Sequence, residues 1–131
     1  EQFEARLSLV EVLPSASIVL EGLDGMFAPI AVAHSEGQMK HFDQTKESEH
    51  ACLRFVDNFR KPAELYPANP NGSPQGLTGV TSADGRVTIM MPHPERVFLT
   101  QQLSWMQKSW RQKESPWMSL FYNAKRWTNS N

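Results

Sequence analysis

Two residues past the middle of the chain, His93 and Glu95, have the types and the spacing to handle a proton together. His93 stands between Pro92 and Pro94. A residue that precedes proline is pushed out of the α region, so His93 is expected to be extended, at the end of a strand. Pro94 suits the first position of a helix, expected here to run through Glu95-Arg96-Val97-Phe98. Across that break the Glu95 carboxylate can reach one imidazole nitrogen, fix the tautomer and stabilise the imidazolium, while the other nitrogen faces a nucleophile. That is the base and orienting half of a triad. Structural histidines also produce His-x-Glu, so the surroundings must supply its meaning.

A triad of this kind needs a thiol or hydroxyl on a tight turn, with small residues beside it. The single cysteine, Cys52, has His50 and Ala51 before it and Leu53 and Arg54 after it, with no glycine nearby. It reads as a small buried apolar residue on a strand rather than a nucleophile. A second polar cluster, His34-Ser35-Glu36-Gly37, follows an apolar run, and the ends of buried strands are where open α/β sheets hold ligands. The bland alternative is a polar turn closing a strand. His41 and His50 lie among polar residues and read as solvated. A zinc deaminase also uses His-x-Glu but requires a downstream Pro-Cys-x-x-Cys, and no cysteine follows His93. His34, Glu36, His93 and Glu95 have metal-ligand chemistry, but neither pair has the i, i+4 spacing of a zinc protease, so no metal is assigned.

The elements that must position these groups can be read from periodicity. Phe3, Ala5, Leu7 and Leu9 alternate with Glu4, Arg6 and Ser8, which predicts a strand with the first set buried. Ile18-Val19-Leu20 fits a strand or a short helix. Pro29-Ile30-Ala31-Val32-Ala33 suits a strand buried on both faces. Cys52-Leu53-Arg54-Phe55-Val56 is another strand, and the segment from Tyr66 to Pro74 is an ordered loop built on Asn-Pro-Asn-Gly turns. The sequon Asn71-Gly72-Ser73 reads as one of those turns. Leu77–Thr81 and Val87–Met91 flank Ala83-Asp84-Gly85, the turn of a hairpin that leads into Pro92-His93-Pro94. Ser115 is a natural cap and Pro116 a natural first residue for a helix laying Trp117, Leu120, Phe121 and Ala124 on the sheet.

With 131 residues, 40% hydrophobic and 21% charged, the chain can build one domain or part of one with a real core. Thirteen basic against fourteen acidic residues, without charge runs, argues against a polyanion as partner. The apolar runs fall far short of the ~20 residues that span a bilayer, and no signal peptide is indicated. A lone cysteine suits a reducing compartment, so the cytoplasm is expected. The chain opens without Met, straight into strand alternation, and reads as a cut end.

The run Val87-Thr88-Ile89-Met90-Met91-Pro92-His93-Pro94-Glu95-Arg96 resembles the histidine and glutamate motif of class I, or triad, glutamine amidotransferases. The resemblance widens through Phe3-Glu4-Ala5-Arg6, Pro29-Ile30-Ala31-Val32, His34 with Glu36-Gly37, Phe55-Val56-Asp57-Asn58, Tyr66 through Pro74, and Ser115-Pro116-Trp117-Met118. Nearly the whole chain thus looks like the C-terminal end of the large-type phosphoribosylformylglycinamidine synthases. The Asn69-Pro70-Asn71-Gly72-Ser73 loop is more specific to them than His-Pro-Glu.

That resemblance implies an α/β fold: the C-terminal half of a class I glutamine amidotransferase domain, with a central, mostly parallel sheet, a β-hairpin and flanking helices. Residues 1–131 would be the C-terminal portion of the glutaminase domain, its nucleophile elbow lying upstream. A cysteine there attacks glutamine, forms a glutamyl thioester and releases ammonia for ATP-dependent conversion of formylglycinamide ribonucleotide to the amidine. His93 would carry the proton and Glu95 orient it, while His34, Ser35, Glu36 and Gly37 would contact glutamine. Ser35 departs from the family's His-Gly-Glu-Gly, placing a side chain where backbone approaches the substrate. No cofactor is expected on this chain; ATP and magnesium belong to the synthetase part, and partners are glutamine and the rest of the enzyme. Taken alone the chain should be inactive, with an open sheet edge. The rival reading is a noncatalytic module that supplies packing surface to a larger assembly.

Overall fold

A computed structural model describes residues 4–34, 49–105, 107 and 114–130. Five strands, β1 (Glu4–Val12), β2 (Phe27–His34), β3 (Ala51–Phe55), β4 (Leu77–Thr81) and β5 (Thr88–Met90), form one sheet in the order β2-β1-β3-β4-β5. A helix, α1 (Ser119–Ser130), follows a 3-10 turn at Pro116–Met118. The α/β class, the hairpin and a flanking helix are all present. The expected mostly parallel pairing is not, because all four described strand pairings are antiparallel. The reason is local: after β1 the chain loops through residues 13–26 and returns to the end it left, with Gly25 N–H donating to Val12 O at 2.8 Å and Val12 N–H to Met26 O at 2.9 Å. A parallel neighbour would have required a crossover.

Strand β1 runs to Val12 and buries the face opposite to the one its alternation suggested. Ser8, Val10 and Val12 are buried, Leu7 and Leu9 half-buried and Ala5 exposed, while Phe3 lies outside the described residues. The core under the sheet is built from Val10, Val12, Ile30, Val32, Leu53 and Phe55, and it collects Trp117 and Leu120 from the C-terminal segment. In β2, Ala28, Pro29, Ile30 and Val32 are buried while Ala31 and Ala33 are half-buried, so the strand is buried on both faces at its start and on one face beyond Ile30. Ile18-Val19-Leu20 forms turns, with Leu20 in the core.

The hairpin forms as the Asp-Gly pair predicts. Ser82 N–H donates to Val87 O at 2.8 Å, and the Asp84 carboxylate accepts from Ser82 Oγ at 2.7 Å and Arg86 N–H at 3.1 Å. Gly85 is required there: its φ is +74° and a Cβ would stand 1.8 Å from Ala16 O. The loop between β3 and β4 is ordered around a buried amide. Asn69 Nδ2 donates to Ala63 O at 3.0 Å and Ser73 O at 2.7 Å, while its Oδ1 accepts from Gly72 N–H at 2.8 Å. Asn71 of the sequon serves the same turn, accepting from Ser73 N–H at 3.1 Å.

Ser115 caps the C-terminal segment, its Oγ accepting from Trp117 N–H at 3.2 Å. Because the segment opens as a 3-10 turn, residues three apart share a face, and the buried row is Trp117, Leu120 and Asn123. Asn123 Nδ2 donates to Val19 O and Glu21 O, both at 2.9 Å. Phe121, expected on the buried face, is 44% exposed.

Candidate active site

The site begins at the outer edge of β2. The pairing of Val12 with Met26 sets the alternation along β1 and β2, so the even-numbered residues of β2 bond to β1 and the carbonyls of Pro29, Ala31 and Ala33 point outward. Each meets a donor. Trp117 Nε1–H donates to Pro29 O at 2.7 Å and His93 N–H to Ala31 O at 2.7 Å, while His93 Nε2 lies 3.3 Å from Ala33 O. Proline is tolerated at this edge because its missing N–H would have faced away from the ladder.

His93 comes to that edge from the opposite end of the sheet. Met91 N–H still bonds Thr78 O of β4 at 3.0 Å, yet two residues on His93 forms an isolated antiparallel bridge with Ala31. Since β2 and β5 are the two ends of the strand order, the sheet must curl until its ends meet, and His93 is where they meet. The flanking prolines do what their chemistry dictates. His93 has φ −114° and ψ 86°, outside the α region, and Pro94–Arg96 form one 3-10 turn closed by Val97 N–H to Pro94 O at 3.1 Å. The helix expected through Phe98 stops at that turn. Val97, 2% exposed, is drawn into the core, and its carbonyl accepts from Ser115 Oγ at 2.5 Å.

The turn brings the Glu95 carboxylate to the imidazole: Glu95 Oε1 lies 2.8 Å from His93 Nδ1. The side chains are 32% and 55% exposed, so the pair is reachable from one side. Burial works to raise the Glu95 carboxyl, but the hydrogen bond from His93, the Glu95 backbone amide and the positive charges of His93 and Arg96 outweigh it and hold the group below the usual glutamate value. An anionic Glu95 favours a proton on Nδ1 and leaves Nε2 as the working nitrogen. Beside the dyad runs a groove of about 750 Å³ whose walls include Ile89 and Met90 of β5 and Leu120 and Phe121 of the C-terminal segment.

Among the other candidates, His34 ends β2, its backbone paired with Glu4. Ser35, Glu36, Gly37 and His41 lie outside the described residues, and His50 is half-buried. Cys52 is wholly buried on β3, two strands in from β2, and burial pushes its thiol up to about 12. Such a thiol stays protonated at neutral pH and is not a nucleophile. Among the described residues no group of three or more His, Cys, Asp or Glu could hold a metal ion, and no helix is long and apolar enough to cross a membrane. The backbone contribution of Ala31 and Ala33 has no signature in residue types, because a carbonyl's direction depends on strand pairing.

In comparisons with known proteins, the chain has the fold of PurLQS from Thermotoga maritima, with a TM-score of 0.67 at 20% sequence identity. The match covers 97% of this chain and 49% of that one, so the chain spans about half the length of the protein it matches. The family model for CobB/CobQ-like glutamine amidotransferase domains matches residues 1–128, which takes in every strand, the His93–Glu95 pair and nearly all of α1. The chain therefore belongs to the CobB/CobQ-like glutamine amidotransferase domain family.

Proposed function

We propose that this chain supplies the base and its orienting carboxylate to a glutaminase whose cysteine lies on a segment outside residues 1–131. The observation that carries the reading is the 2.8 Å contact of Glu95 Oε1 with His93 Nδ1, which leaves Nε2 on the far side of the ring at the C-terminal end of β2. Nε2 takes the thiol proton as sulfur attacks the glutamine carboxamide carbon, then returns it to the departing nitrogen, giving ammonia and a glutamyl thioester. Glu95 holds the tautomer and stabilises the imidazolium between the two transfers. His34, at the end of β2, and Ser35, Glu36 and Gly37, which follow it in sequence, are the proposed contacts for glutamine.

The acceptor of the ammonia is proposed from the sequence resemblance to large-type phosphoribosylformylglycinamidine synthases: formylglycinamide ribonucleotide, activated by ATP with magnesium in a separate synthetase part. The test uses the complete enzyme. His93→Ala is expected to lower glutamine-dependent synthesis by roughly a thousandfold or more, while synthesis from free ammonia persists. Loss of both activities would make His93 a structural residue.

A further inference from the structure

Three outward carbonyls line the edge of β2, and they are not alike. Pro29 O and Ala31 O each have a permanent donor at 2.7 Å, an indole N–H and a backbone N–H. Among the described residues, Ala33 O has only His93 Nε2, at 3.3 Å. A carbonyl oxygen is solely an acceptor, so this contact is favourable only while Nε2 carries a proton. Glu95 claims the proton at Nδ1. Whenever Nε2 gives up its own proton, two lone pairs face each other and Ala33 O is left without a donor.

We propose that the Ala33 carbonyl is a substrate-contacting acceptor that selects a carboxamide nitrogen over an oxygen leaving group; the inference rests on reading His93 as the proton carrier. A group lying roughly 3 Å from both Nε2 and Ala33 O is in hydrogen-bond reach of each, and it must present a hydrogen to the carbonyl. In the acylation step the thiol proton moves to Nε2, the sulfur–carbon bond forms and the carbonyl electron pair moves onto oxygen. The oxygen's electron pair then restores the carbonyl of the thioester as the carbon–nitrogen bond breaks, the bond's electron pair leaving with nitrogen, which takes the Nε2 proton. At that moment Nε2 ceases to serve Ala33 O, and an N–H of the departing ammonia takes its place. The contact strengthens as the bond breaks, so it lowers the barrier instead of only tightening binding. An ester oxygen has no hydrogen to offer and meets the carbonyl with repulsion.

The experiment replaces residue 34 of the complete enzyme by its α-hydroxy analogue, which turns the Ala33–His34 peptide into an ester and weakens the Ala33 carbonyl as acceptor. The same change at residue 30 weakens the Pro29 carbonyl and removes one N–H from the same β1–β2 ladder, as the first change does. Hydrolysis of glutamine and of glutamate γ-methyl ester is measured for both proteins. The expected result is a fall of about tenfold in the ratio of kcat/KM for glutamine to that for the methyl ester in the residue 34 protein, and no change in that ratio in the residue 30 protein. Equal losses on both substrates at residue 34 would overturn the proposal. His93→Ala is run beside them: undiminished turnover of both substrates would remove the reading of His93 itself, a different failure from an unchanged ratio at residue 34.

Discussion

A carboxylate 2.8 Å from Nδ1 leaves an imidazole little choice about where its proton sits. Replacing Glu95 by Gln in the complete enzyme removes the charge and keeps the shape, and kcat for glutamine should fall by roughly 10³–10⁴ with KM little changed. The same carboxylate makes a small contribution to stability with a definite sign. Being held below its ordinary value of 4.5, it favours the folded state above that pH, and the advantage is lost as pH falls through the lowered value. Urea midpoints of the chain and of its Glu95→Gln variant should differ at pH 7 and converge in acid; the gap will be modest because Glu95 is 55% exposed and screened. Cys52 offers the opposite case. With its thiol pushed up to about 12, it should resist iodoacetamide in the folded chain and react once urea unfolds it, as mass spectrometry would show. Rapid labelling of native protein would reopen its candidacy as nucleophile. The reading of Cys52 came from the bulk of Leu53 and Arg54 beside it, since a tight elbow cannot carry such neighbours.

The elements divide according to what decides them. Where chemistry is local, the sequence was legible: the Asp84-Gly85 turn, the Ser115 cap and the extended His93 between prolines each follow from one or two residues. Where the deciding partner is distant, it was not. The buried face of β1 turns on the core it shares with β2 and β3, and alternation in Phe3 to Leu9 could not reveal it. The 3-10 entry to α1 likewise moved the buried row from Phe121 to Asn123. Antiparallel pairing was missed because the resemblance, rather than the local reversal at Gly25, supplied the expectation. Trp117 ties these elements together, being wholly buried with its indole on Pro29 O. Trp117→Phe orphans that carbonyl and leaves a cavity, and chemical denaturation should register a loss of about 1–3 kcal/mol. Asn69→Ala removes three hydrogen bonds of one buried amide, to Ala63 O, Ser73 O and Gly72 N–H, and should also cost about 1–3 kcal/mol by the same measurement.

At the scale of the molecule, the dyad and the architecture are the same feature seen twice. The sheet curls until the segment leaving β5 bridges back to β2, and the residue that makes the bridge is the one whose side chain meets Glu95. No pattern in the sequence announces a junction between strands sixty residues apart. The isolated chain, holding base and carboxylate but a sealed thiol, should show no glutamine hydrolysis, and a sensitive ammonia assay would expose any turnover. The backbone N–H of His93, donating to Ala31 O at 2.7 Å, carries a consequence for how the site can fail. Its deuterium exchange reports whether the bridge from His93 to β2 is formed. If the junction breathes open, the imidazole swings away with the backbone that carries it, so proton transfer and closure are lost together. A protein that binds this edge could silence the chemistry without ever touching a carboxamide, and a slowly exchanging His93 amide would be the sign that the latch is fastened.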